Sequence, residues 1–92
     1  MNIYLRICQI KNKIRYNDIS LDYFIECFKI LNFLIYFEDY KEAHSFANTL
    51  KNAKVILETS KEEMQYLLYQ AKLQEIDRDL ESKLQVRNVK VR

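Results

Sequence analysis

His44 is the only histidine in the chain, and Glu42 and Asp39 lie close to it in sequence. An imidazole beside carboxylates can act as a general base or ligate a metal. A metal, however, needs three or four converging ligands. His44 falls on the predicted polar face of its helix with Lys41 and Asn48, where a solvated side chain belongs. Cys8 and Cys27 have no metal-type spacing and no histidine paired with an orienting third group. Both fall among apolar residues and are expected to be buried and inert. Glu62, Glu63, Asp77 and Asp79 are expected on exposed helix faces, with Asp79 pairing to Lys83 one turn on. No two carboxylates are thereby placed in the contrasting environments that acid–base work requires. Glycine is absent, so a phosphate-cradling loop, a dinucleotide fingerprint and a nucleophile elbow are all excluded. The expectation is a non-enzyme with no catalytic residue, no cofactor and no metal.

The elements that would position these residues follow from composition and period. Ninety-two residues make one domain, residues 1–92, with a basic tail from about residue 86. Tight hairpins draw on glycine, and neither glycine nor proline is present, so an all-α fold is expected. The architecture read from the pattern is a bundle of three to four helices whose C-terminal helix is the longest. The alternative is an α+β fold in which residues 2–15 form a strand and pair with Val89 and Val91.

Residues 2–15 fit a helix better, because Ile3, Ile7, Ile10 and Ile14 recur at helical spacing. Ile19 to Phe37 is apolar in nearly every direction, with Asp22, Glu26 and Lys29 as a narrow polar stripe. That pattern predicts a central helix with neighbours on several sides. Asp18 and Ser20 are both competent N-caps for it. Aromatic residues crowd Tyr23 to Phe46 and are expected to fill the core. Asp39 with Glu42 has the form of a capping box, and Ala43, Phe46, Ala47 and Leu50 follow as a stripe that Leu57 would complete. A second box, Ser60 with Glu63, opens a helix to about Gln85.

That last helix carries two apolar faces. Met64, Leu67, Leu68 and Ala71 make one. Tyr66, Tyr69, Leu73, Ile76 and Leu80 make the other, with the alternating three-and-four spacing of a heptad seam. If the seam projects beyond shorter neighbours, it is a partner-binding surface for another protein or for a second copy in a homodimer. A small protein-interaction module (adaptor, chaperone or inhibitor) is therefore the expected function. The alternative is a nucleic-acid-binding accessory protein. Its contacts would be the acid-free ends: Arg6, Lys11, Lys13 and Arg15 at one, Arg87, Lys90 and Arg92 at the other. All thirteen carboxylates lie between these ends. With no signal-peptide pattern and no long apolar run, a cytoplasmic location with reduced thiols is expected.

Phe37-Glu38-Asp39-Tyr40-Lys41-Glu42-Ala43, continuing to Leu50, resembles the turn and second helix of a tetratricopeptide repeat. The repeat's glycine and closing proline are missing, so the likeness assigns no family.

Overall fold

The structure, a computed structural model, describes residues 2–89, with side chains through Gln85. Four helices pack together: α1 (Ile3–Tyr16), α2 (Leu21–Tyr36), α3 (Tyr40–Lys51) and α4 (Ser60–Val89). The all-α bundle expected from composition is the fold. The strand alternative for residues 2–15 is overturned, because Ile7, Ile10 and Ile14 give that segment a buried helical stripe. Val89 is helical and Val91 lies outside the described residues.

Helix starts follow the caps. Asn2 Oδ1 accepts from the Tyr4 N–H at 2.9 Å, and Ser20 Oγ accepts from the Tyr23 N–H at 3.1 Å. Asp39 Oδ1 accepts from the Glu42 N–H at 3.4 Å. The box at α4 sits one residue earlier than the spacing suggests. Thr59 Oγ1 accepts from the Glu62 N–H at 3.1 Å, while Glu62 Oε1 accepts from the Glu58 N–H at 2.7 Å. The Glu62 N–H in the first turn and the Glu58 N–H just before the cap are thereby satisfied.

Between α2 and α3 the chain turns in three residues. The Asp39 N–H donates to the Leu34 carbonyl and the Glu38 N–H to the Ile35 carbonyl, both at 2.9 Å. This is a Schellman closure, which places Glu38 at φ 60°. In a chain without glycine a glutamate takes the left-handed position, at a cost of about 1 kcal/mol.

A two-stranded parallel clasp adds to the helices. β1 (Ile19–Ser20) pairs with β2 (Val55–Ile56), Ile19 opposite Val55 and Ser20 opposite Ile56. Two residues are too few to show a period of two, so the sequence carries no signal for it. The clasp joins the residues just before α2 to the loop before α4. Leu57 consequently falls past β2, not on the α3 stripe, which ends with Lys51.

The hub is α3, not α2. α3 packs against α1, α2 and α4, and Ala43, Phe46, Ala47 and Leu50 are all essentially inaccessible. Alanines one turn apart let neighbouring helices approach closely. α2 buries Leu21, Phe24, Cys27, Phe28, Leu31 and Leu34, but its C-terminal end faces water. Phe33, Tyr36 and Phe37 are 43 %, 80 % and 62 % exposed. The Phe37 ring meets Phe33 at a tilt and Tyr36 edge-to-face, with centroids 4.7 Å and 5.1 Å apart. The aromatic stretch is thus split between core and surface.

Side-chain contacts give the helix directions. Rings of Phe24 and Tyr66, and of Phe28 and Tyr69, meet edge-to-face at 5.3 Å and 5.0 Å, so α2 and α4 run parallel. Lys51 meets Asp77 and His44 meets Glu81, so α3 and α4 run antiparallel.

Candidate functional site

The seam on α4 is spent inside the domain. Leu73 and Leu80 are 2 % and 1 % exposed, and Tyr66, Tyr69 and Ile76 are half-buried against the same core. The projecting seam expected from the sequence is corrected by simple lengths. From Tyr66 to Leu80 a helix rises about 21 Å, while the 16-residue α2 and the 12-residue α3 span roughly 24 Å and 18 Å. α2 alone matches the length of the whole seam, and α3 covers most of it.

What α4 leaves to water is its other face. Met64, Leu67 and Leu68 are 69 %, 63 % and 65 % exposed, and Ala71 extends the strip. Three large apolar side chains on adjacent turns, about half a helical turn round from the seam, form a contiguous patch.

The basic residues of α1 do not share a face. Lys11 is held by Glu42 at 2.9 Å and by Ser45 Oγ at 2.9 Å. Lys13 lies 4.6 Å over the Tyr23 ring. Arg6 lines a shallow groove with Tyr23 and Glu26 between α1 and α2. Arg15 instead lines a second, open groove of about 780 Å³ with Lys41, His44, Asn48 and Lys54. Lys90 and Arg92, and the side chain of Arg87, lie outside the described residues.

A polar constellation that the sequence reading dispersed is brought together where α3 crosses α4. His44 and Lys51, two turns apart, form one edge of α3. Asp77 and Glu81 are one turn apart on α4. Asp77 is not exposed as expected but 6 % accessible. It falls four residues after Leu73 and three before Leu80, so it borders both leucines on the edge of the seam turned to α3. That acid inside an apolar stripe was the available signal. Lys51 Nζ donates to Asp77 Oδ2 at 2.8 Å, and this bond raises the lysine's pKa. His44 Nε2 stands 3.4 Å from Asp77 Oδ1 and 3.7 Å from Glu81 Oε1. Neither His44 Nε2 nor Asp77 Oδ1 has a hydrogen-bond partner among the described residues, although both atoms are buried. Asp79 and Lys83 do form the expected surface pair, at 3.2 Å.

No family model, curated protein or solved structure matches the chain. The stretch resembling a tetratricopeptide repeat folds as the α2–α3 turn and α3, with Glu38 where the repeat would carry its turn. Function has to be read from the side chains themselves. Among the described residues no helix is long and apolar enough to cross a membrane.

The two cysteines separate. Cys27 is buried on α2, and burial pushes its thiol up to about 12. Cys8 is exposed, against expectation. Its neighbours Ile7 and Ile10 face the core, but one residue turns the helix by about 100° and carries Cys8 out of the stripe. Alkylation of the native protein at pH 8 is expected to add one group, at Cys8, and a second only after denaturation. Intact and peptide mass spectrometry check both counts. The raised Cys27 pKa also bears on stability. The buried thiol keeps its proton where an unfolded thiol, with its ordinary value of 9.0, has lost it. Its contribution is therefore complete below pH 9 and is lost as pH rises toward 12.

Proposed function

We propose that this chain is a small non-enzymatic protein-interaction module that self-associates through the outward face of the first half of α4. The supporting observation is the exposure of Met64, Leu67 and Leu68. Fully burying a large apolar side chain is worth about 1.5–3 kcal/mol, so three together on one strip favour a partner.

The pattern of the strip fits a second copy. A two-fold axis passing between Leu67 and Leu68 of two antiparallel α4 helices sets Met64 opposite the partner subunit's Ala71, a large side chain against a small one. One strip thus supplies both halves of an isologous contact, apolar along its centre. Lys72 lies 5.0 Å over the ring of Tyr69 on its own helix, which holds its charge at the edge of the strip.

Sedimentation velocity across a concentration series tests this. The unmodified chain is expected to form dimers, and Leu67→Asp with Leu68→Asp to give a folded monomer. A chain that remains monomeric at the highest concentration overturns the self-association reading. A dimer that survives Leu67→Asp with Leu68→Asp rejects this face as the contact.

The nucleic-acid reading gains no comparable support. On α1, Lys11 and Lys13 are engaged within the domain, and Arg6 and Arg15 line different grooves.

A further inference from the structure

We infer that His44, Asp77 and Glu81 form a binding site for one divalent transition-metal ion, with Zn²⁺ the best match to the donor set. The two atoms at its centre, His44 Nε2 and Asp77 Oδ1, are buried, unpartnered among the described residues and 3.4 Å apart. Burying such atoms without a partner is costly, so a positive centre belongs between them. A shared proton would draw the two into the range of about 2.7–3.2 Å. Two ligands on a tetrahedral ion, each about 2.1 Å from it, stand roughly 3.4 Å apart. The observed spacing matches the second arrangement.

Glu81 supplies the third donor. Its Oε1 lies 3.7 Å from His44 Nε2, and one donor atom from each of the three residues fits within a spread of 4.8 Å. The acids are one turn apart on α4 and the imidazole reaches them from α3, so the site joins two facing helices of the bundle. Lys51 occupies Asp77 Oδ2 at 2.8 Å and fixes the carboxylate's rotation, which leaves Oδ1 aimed at the imidazole. A hydrogen bond to the carboxylate's other oxygen orients such a ligand before the ion arrives. Two carboxylates against one lysine leave the cluster with a net negative charge when the imidazole is neutral. One nitrogen with two oxygen donors suits Zn²⁺ better than a purely hard cation such as Mg²⁺. The fourth position is left to water, and the groove that His44 lines with Lys41 and Asn48 gives the ion its route in.

Because the chain has one histidine, a single set of imidazole NMR signals reports the site. The experiment is a titration of the untagged full chain with Zn²⁺, followed by those signals and by calorimetry. A Cys8→Ser background removes the exposed thiol as a competing ligand. One ion per chain with a saturating shift of the imidazole signals is the expected result. Glu81→Gln, an exposed position that keeps its helix, is expected to weaken binding by at least about tenfold, and His44→Gln to abolish it. Circular dichroism establishes that both variants are folded. An imidazole unmoved by excess Zn²⁺ overturns the inference, and so does equal affinity in the Glu81→Gln chain.

Discussion

Leu73→Asp is expected to unfold the chain, whereas Leu67→Asp, on the opposite face of the same helix, is expected to leave it folded. Leu73 is 2 % exposed and Leu67 63 %. Removing a buried leucine side chain costs about 2–5 kcal/mol before any charge is considered. The incoming carboxylate would sit in the core one turn from Asp77, a buried acid whose lysine partner is already engaged. It must either ionise without a partner or remain protonated, and each adds several kcal/mol. A domain of this size has only about 5–14 kcal/mol in total. Far-UV circular dichroism with urea titration reads the difference. A folded Leu73→Asp chain that differs only in oligomeric state would place the seam at an interface and not in the core.

Phe46→Ala is expected to lower stability by about 3–5 kcal/mol, the upper range for one core truncation. Phe46 is fully buried on α3 between Ala43 and Ala47. Those alanines already bring the helices close, so the neighbours have little room to collapse into the vacated space. An uncollapsed cavity carries the full penalty. The midpoint of guanidinium unfolding should fall sharply with an unchanged slope. Phe33→Ala, at a side chain 43 % exposed, should shift it far less. Equal losses at the two positions would mean that α3 is not the hub.

Much of the backbone was legible in the sequence. Ser20 and Asp39 cap the helices that their positions announce, and the α1 isoleucines bury as their spacing requires. What remained hidden was which face of each helix turns inward. On α4 the seam and the Met64–Leu68 strip carry the same kind of pattern. Only the position of α2 and α3 decides that one is core and the other surface. The same ambiguity made α2 look central and placed its terminal aromatics in the core. His44 read as a solvated residue because its partners come from another helix, about thirty residues on, and helical period relates only residues on one element. Asp77 was legible in principle, since its register places it between two buried leucines. Local charge spacing, which pairs it with surface neighbours, masked that.

The clasp fixes how the peptide dipoles of the bundle add. Because β1 and β2 run parallel and lead into α2 and α4, the N-termini of those helices share one end of the molecule. Their macrodipoles point the same way, and the partial positive charges of the two ends reinforce each other. The side chains there are of the complementary sign, Asp22 in the first turn of α2 and Glu62 with Glu63 in that of α4. At this pole Asp22, Glu62 and Glu63 serve as counter-charge to helix direction. Four residues of strand thus decide that acids, not bases, are the stabilising charges at that end of the bundle.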